Sequence, residues 1–193
     1  MENKIRELAK KRPELSNMSG KGFWPVPAFF PLLLSHTIHC LQNKITELYL
    51  KNDGIAKELS EIRIALLNIV FEGDLGEDHT GLFIKDHPNK LDEYKNLPFY
   101  NFCQGILKIN NPIILLGILT RNEEGSLEEA KALVETKIIN VGIFSQIHLI
   151  EEEKHARISE SIKNKLLKNV QFKEDFLKGI DIHDELYSSI VQY

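Results

Sequence analysis

Apolar residues recur at spacings of three and four along most of this chain, which is the period of an amphipathic helix. No stretch shows the sustained alternation of apolar and polar residues, bounded by hairpin turns, that is typical of a β-strand. The pattern predicts helices over roughly residues 28–51, 55–72 continuing irregularly to 84, 90–108, 112–124, 127–138, 140–167 and 172–191. We therefore predict an all-α fold of about seven helices.

Clusters of turn formers and helix-capping residues separate the predicted helices. They are Ser19 to Gly22, Asn52 to Gly54, Asp86 to Asn89, Asn110 to Pro112, and Gly125 with Ser126. Each cluster predicts a helix end.

Length and charge narrow the class of protein. A chain of 193 residues, 42% of them hydrophobic, suits one domain whose interior can hide a polar site. We assign residues 1–193 to a single helical domain and residues 1–27 to an N-terminal extension that packs on the bundle. The 24 lysines and arginines are scattered, and with 28 aspartates and glutamates they leave a net charge of −4, which argues against nucleic-acid binding.

The sequence also predicts where in the cell the protein is located. Its longest apolar runs, Val26–Leu34 and Ile113–Leu119, are far shorter than the ~18–20 residues that span a membrane. The charged N-terminus lacks the apolar region and cleavage site of a secretory signal. Cys40 and Cys103 lack the spacing of a disulfide framework or a thiolate zinc site. We expect a soluble, cytoplasmic protein.

Residues of metal-ligand type interrupt the apolar face of the segment around 141–162. Steps of four and three place His148, Glu152 and His155 on one helical face that is otherwise apolar. At about 100° per residue, Glu152 lies roughly 40° from the direction of His148, and Glu151 lies roughly 60° to the other side. Glu152 is therefore the better candidate, and Glu151 is its rival.

Glu72 and His79 form a second pair, seven residues apart, on a face that is largely apolar if the segment stays helical. Gly73 and Gly76 lie between them and weaken a helix by up to about 1 kcal/mol each. We expect a loosened turn between these two candidate ligands.

Glu123 is the third inward carboxylate. It shares a helical face with Leu116 and Leu119, whereas neighbouring Glu124 lines up with Arg121. Glu123 is therefore the residue of this pair that we expect to face the core.

Internal carboxylates need compensating charge. Ionised carboxylates removed from water cost many kcal/mol unless they are paired, and no lysine or arginine occupies these faces. Mixed oxygen and nitrogen ligands with open positions suit redox-active iron or manganese. The pattern predicts a two-metal site, although histidines seven residues apart also occur as satisfied core side chains. His36 and His39 have no carboxylate at ligand spacing and are assigned to packing or substrate contact.

The complete pattern is Glu72-x6-His79, then Glu123, then His148-x3-Glu152-x2-His155. It resembles the heme-oxygenase-like di-metal oxidases and oxygenases, and it looks most similar to the branch containing the chlamydial protein associating with death domains. The resemblance spans roughly residues 28–165 and implies a heme-oxygenase-like bundle with the metal site in its core. It also implies that these six residues bind two iron ions, or one iron and one manganese, with O2 as co-substrate.

Two departures from the family pattern leave ligands open. That branch usually has aspartate where this chain has Glu152, which keeps Glu151 as an alternative. The stretch between Glu123 and His148 matches poorly, so Glu128 or Glu129 could take the place of Glu123.

By resemblance, the chain is an O2-activating oxidase or oxygenase that acts on a small organic substrate, such as an amino acid, an amine, a fatty acid or an aromatic precursor. The metals carry the redox chemistry, and no separate catalytic acid or base is predicted. One rival is a metal-dependent hydrolase of the same fold, in which the ions activate water. Another is a non-enzymatic protein that binds partners through an amphipathic helix. The expected partner is a small-molecule substrate, with a homodimer left open.

Overall fold

The computed structural model describes the backbone of residues 25–72, 77–78, 100–135 and 143–191, and within these the side chains of residues 29, 32–69, 100–125, 153–186 and 188. The described residues form six helices and one short β-hairpin. The helices are α1 (Pro25–Leu50), α2 (Ile55–Val70), α3 (Tyr100–Ile106), α4 (Pro112–Glu135), α5 (Ile143–Lys168) and α6 (Val170–Val191). The strands are β1 (Phe71–Glu72) and β2 (Glu77–Asp78).

The predicted all-α class is confirmed for the described ranges, in which the two strands are two residues each. None of the helices in these ranges is long and apolar enough to span a bilayer.

Residues 71–72 and 77–78 are strands, so the predicted continuation of the helix beyond α2 is wrong at these positions. α2 ends at Val70, and the strands that follow pair antiparallel with Phe71 opposite Asp78. Bulky and β-branched residues favour extended backbone at this point. Gly73 and Gly76, which lie between the strands in sequence, would each weaken a continuing helix by about 1 kcal/mol.

The helix end predicted at Gly125 and Ser126 is also wrong. Residues 112–124 and 127–135, which were predicted to lie in two helices, belong to one helix, Pro112–Glu135. A glycine inside a helix costs only about 1 kcal/mol. Because α4 packs against α1, α5 and α6, its tertiary contacts outweigh this local preference.

The break predicted at residues 52–54 is confirmed by a cap at the end of α1. Asn52 adopts a left-handed conformation with φ of 54°. Its N–H donates to the carbonyl of Tyr49 at 3.1 Å, and the N–H of Asp53 donates to the carbonyl of Leu48 at 3.0 Å. This pair of bonds is the Schellman motif, which satisfies the last carbonyls of a helix. The Asp53 carboxylate then accepts the N–H of Ile55 at 3.0 Å and starts α2.

Asparagines cap two further helices. The side-chain oxygen of Asn111 accepts the N–H of Ile113 at 3.0 Å, and Pro112 occupies the first helical position, where no N–H is needed. Asn169 separates α5 from α6 and accepts the N–H of Gln171 at 3.0 Å. The break predicted at residues 110–112 is therefore confirmed.

α4 is the central helix of the described structure. All residues from 112 to 120 are buried, as expected for a helix that is apolar on every side. It packs against α1, α5 and α6, while α2 packs against α1 and α5. The most deeply buried side chains are mainly aliphatic: Leu33, Leu34, Leu41, Leu59, Ile62, Leu66, Ile69, Leu115, Leu116, Ile118 and Phe176.

Two glycines allow α4 and α6 to cross at close range. A Cβ atom on Gly117 would lie 2.9 Å from the Cα of Gly179 and would overlap the carbonyl oxygen of Phe176. A Cβ atom on Gly179 would in turn lie 2.9 Å from the Cα of Gly117 and would overlap the carbonyl oxygen of Ile114. The contact is reciprocal, and neither position has room for a side chain.

Side-chain hydrogen bonds on both sides of this crossing show that α4 and α6 run parallel. Asn111 donates to Asp175 at 2.7 Å before the crossing, and the Nε of Arg121 donates to Asp184 at 2.9 Å after it. Because residue numbers rise together along both helices, the two helices have the same direction. The bonds fix the register in which the glycines meet.

Candidate metal centre

Glu123 of α4 and His155 of α5, two of the six predicted ligands, meet in the protein interior. Glu123 is 3% exposed and His155 is 0% exposed. Oε2 of Glu123 lies 3.5 Å from Nδ1 of His155. The fold thus brings together a carboxylate and an imidazole that the sequence pattern selects independently, on separate segments.

The separation of these two atoms suits two ligands of one metal ion. Carboxylate and imidazole donors lie about 2.1 Å from a bound transition metal, so donors roughly 90–110° apart are about 3.0–3.4 Å from each other. The observed 3.5 Å is close to this distance. Among the residues whose side chains are described, no three histidines, cysteines, aspartates or glutamates form a metal-holding group. The other four predicted ligands lie outside that set.

Helical periodicity explains why His155 points inward. Burial along the described part of α5 recurs at steps of three and four, and the buried residues are His155, Ser159, Ile162 and Leu166. Residues between them, such as Glu153 and Glu160, are exposed. Within the described part of α5, His155 and Ile162 of the predicted stripe are therefore buried.

Glu123 and Glu124 face different surroundings, as their angular separation of about 100° predicts. Glu124 is 29% exposed on its side chain and accepts a hydrogen bond from Nη1 of Arg121 at 2.9 Å. It also forms an ion pair with Lys163 of α5. The sequence therefore predicted correctly which glutamate of this pair is internal.

The backbone of α5 also carries the other candidates of this segment. Positions 148, 151 and 152 lie within the continuous helix Ile143–Lys168, so residues 148, 152 and 155 occupy one face of it. The side chains of His148, Glu151 and Glu152 lie outside the described residues, and so do those of Glu128 and Glu129 in α4.

Glu72 does not lie on a helical face shared with position 79, because it belongs to β1. His79 and the side chain of Glu72 lie outside the described residues. Glu72 is paired with Glu77 across the two strands, and Glu77 precedes His79 by two residues in sequence.

His36 has the surroundings expected of a packing residue, whereas His39 lies on the surface. Nε2 of His36 donates to the carbonyl oxygen of Ile109 at 2.8 Å, and the same ring lies 3.7 Å from the sulfur of Cys40. His39 is exposed and is hydrogen bonded to Asn43 at 3.1 Å.

A second group of polar residues lies beside α4 and was not predicted from the sequence. His183 of α6 is 4% exposed, and its Nδ1 lies 3.5 Å from Oδ1 of Asp184. Asp184 also accepts hydrogen bonds from Nε and Nη2 of Arg121, at 2.9 and 3.4 Å. The available signal was the position of His183, seven residues after Phe176 and three before Leu186, which are both buried.

Burial and hydrogen bonding shift the pKa values of Asp184 and Arg121 in opposite directions. Burial raises the pKa of Asp184, but hydrogen bonds and charges from His183 and Arg121 outweigh burial and lower the pKa from 3.8 to about 2. Burial lowers the pKa of Arg121, whereas its bonds to Asp184 and Glu124 raise it above its usual value. The carboxylate and the guanidinium are both charged at neutral pH.

We expect Asp184→Asn to destabilise the protein by about 1 kcal/mol at neutral pH, a modest value because the Asp184 side chain is 35% exposed and its charge is partly screened. A group whose pKa is lowered by folding stabilises above its ordinary pKa, and this contribution is lost as the pH falls toward the lowered value. The difference from the native chain should therefore narrow from pH 4 to pH 2, because in this range Asp184 takes up a proton in the unfolded chain, whereas in the folded chain its pKa of about 2 keeps it largely ionised. Urea unfolding across this range measures it, with exposed Asp181→Asn as the control. A difference that does not depend on pH would contradict the assignment.

Comparison with known proteins does not assign the chain to a family. It matches no protein-family model, no curated protein and no solved structure.

Proposed function

We propose that this chain is a non-heme di-iron oxidoreductase that uses O2 to oxidise a small organic molecule, such as an amino acid, an amine, a fatty acid or an aromatic precursor. A mixed iron and manganese pair is a variant of the same proposal. The proposed ligands are Glu72, His79, Glu123, His148, Glu152 and His155. We further propose that the helices form a heme-oxygenase-like bundle around this site.

The buried pair of Glu123 and His155 carries the proposal. An ionised carboxylate in the interior costs several kcal/mol unless its charge is compensated. Arg121 and Lys163 bind Glu124 and Asp184, and the His155 imidazole lies beside Glu123 at 3.5 Å. A cation held jointly by the two side chains would offset the carboxylate charge and would use an imidazole nitrogen as a ligand.

The surroundings of the pair suit a preorganised centre. Glu123 is placed by the central helix, whose packing on three sides restricts its movement. His155 is placed by a continuous helix that also carries position 152 about one turn earlier and position 148 about two turns earlier. Burial of both side chains keeps bulk water from the ligand atoms. Iron bound by these residues would supply the electrons that activate O2.

Glu152 is proposed as the ligand in preference to Glu151, because four- and three-residue steps separate it from His148 and His155. Glu123 is proposed in preference to Glu128 or Glu129, because it is buried and lies beside His155.

O2 consumption tests the proposal. The full chain, loaded with ferrous iron without air, is mixed with oxygenated buffer, a reductant and panels of amino acids, amines, fatty acids and aromatic acids. We expect O2 uptake that depends on substrate. Its rate should be at least 100-fold lower in Glu123→Gln, because losing a direct metal ligand should cost more activity than the ~10-fold typical of losing a residue that supports a ligand. Glu153→Gln, an exposed change on α5, is the control and should retain activity.

Other outcomes would support the rival functions. Metal-dependent hydrolysis without O2 uptake would favour the hydrolase, since the ions would then activate water. A chain that binds no metal and consumes no O2 would contradict the proposal and favour a partner-binding role.

A further inference from the structure

Four charged side chains form a continuous row across α5, α4 and α6. Lys163 of α5 contacts Oε1 of Glu124, whose Oε2 accepts a hydrogen bond from Arg121 at 2.9 Å. Arg121 in turn donates to Asp184 of α6 at 2.9 Å. The exposed fractions of these side chains run from 12% for Arg121 to 35% for Asp184. Two positive and two negative charges balance one another within the row.

This row begins next to the proposed metal centre. Glu124 follows Glu123 in α4, and the two glutamates contact α5 at different points, Lys163 and His155. These points are eight residues apart and therefore about 12 Å apart along the helix. Glu123 and Glu124, which are adjacent in α4, thus contact α5 at two well-separated points.

The ion pair of Glu124 with Lys163 restricts both sliding and rotation of α4. Sliding along α5 would separate Glu124 from Lys163, and rotation by about 100° would turn Glu123 away from His155. The bond from Arg121 to Asp184 attaches the same turn of α4 to α6.

We propose that Lys163 is a positioning residue, which acts through Glu124 to hold Glu123 against His155. The predicted effect of Lys163 on metal affinity rests on the proposed function, whereas its predicted effect on the relative positions of Glu123 and His155 does not. The ammonium group need not touch a metal ion or a substrate to have this effect.

The test compares Lys163→Met, which removes the charge and keeps the apolar stem, with Lys163→Arg, which restores a cation. The matched control is Lys165→Met on the same helix, because Lys165 pairs with Glu61 of α2 at 2.9 Å, away from the row. The first measurement is the ¹⁵N chemical shift of the His155 ring in the metal-free full chain at one fixed pH, with its signal identified by its loss in His155→Gln. The second is the dissociation constant for Co²⁺, used as a spectroscopic probe.

We expect Lys163→Met to shift the His155 ring signals and to weaken Co²⁺ binding about 10-fold, the effect typical of residues that support a ligand. Lys163→Arg should recover both, and Lys165→Met should change neither. Ring shifts and affinity in Lys163→Met that match those of Lys165→Met would overturn the positioning role. If the native chain binds no Co²⁺, the proposed function fails, and the ring shifts alone decide the role of Lys163.

Discussion

Replacement of Gly117 by alanine is expected to lower the free energy of unfolding by about 3 kcal/mol or more, the upper end of the range for overpacked interiors. The added methyl group would overlap the carbonyl oxygen of Phe176 and would lie 2.9 Å from the Cα of Gly179. Both obstacles are backbone, so no change of rotamer can relieve them. α4 and α6 would have to move apart along the crossing that fixes their register.

A matched glycine separates this effect from ordinary helix propensity. Gly105 in α3 is exposed, and nothing lies within 4 Å of the position that an added methyl group would take. Gly105→Ala should leave stability unchanged or raise it by up to about 1 kcal/mol, because alanine is the better helix former. Thermal unfolding measures both variants, and we expect Gly117→Ala to melt roughly 6–12 °C lower than the native chain. Equal behaviour of the two variants would show that the helices do not cross at these glycines.

Replacement of His155 by alanine is expected to reduce the metal content from about two ions per chain to one or fewer, because each imidazole that is removed takes away a direct bond to metal. His155 is fully buried and lies 3.5 Å from Glu123, so its loss would leave the carboxylate without its neighbouring nitrogen donor.

His183→Ala is the matched control, because His183 is also buried, at 4% exposed, yet it contacts Asp184 and is not a predicted ligand. Both changes remove a buried ring and leave a cavity, so both should lower stability. Elemental analysis of folded protein after loading with ferrous iron in the absence of air should show metal loss in His155→Ala only. Equal loss in both variants would mean that the metal responds to general loosening of the core and not to the ligand itself.

Local patterns predicted much of the fold because they depend on nearby residues. Asn52 and Asn111 end or begin helices through hydrogen bonds within a few residues of themselves, and the sequence marks both places. The choice of Glu123 over Glu124 followed from about 100° of helical rotation, which any continuous helix imposes.

The predictions that failed depended on competition between local and tertiary preference. Gly125 suggested a helix end, but packing of α4 on three sides outweighs a cost of about 1 kcal/mol. At Phe71 the local preference prevailed. The glycines that follow weaken a helix, and Phe71 belongs instead to a paired strand.

Contacts between distant segments could not be predicted from one sequence. Arg121 and Asp184 are on different helices, and nothing in the spacing of either residue identifies the other as its partner. The crossing of Gly117 with Gly179 is similar, since an isolated helical glycine indicates weakness and not contact. The same limit applied to the candidate site, where periodicity selected Glu123 and His155 separately and only the packing of α4 on α5 showed that they meet.

The most direct test of the proposed centre is Mössbauer spectroscopy of the full chain, loaded with ⁵⁷Fe²⁺ without air and then exposed to O2. We predict about two iron ions per chain, because three carboxylates and three imidazoles are enough to hold two ions. We also predict that the oxidised sample is diamagnetic, as expected when two ferric ions are bridged and coupled, and that this signal is lost in His155→Ala. Iron at well below one ion per chain, or uncoupled ferric iron that His155→Ala leaves unchanged, would contradict a di-iron centre built on Glu123 and His155.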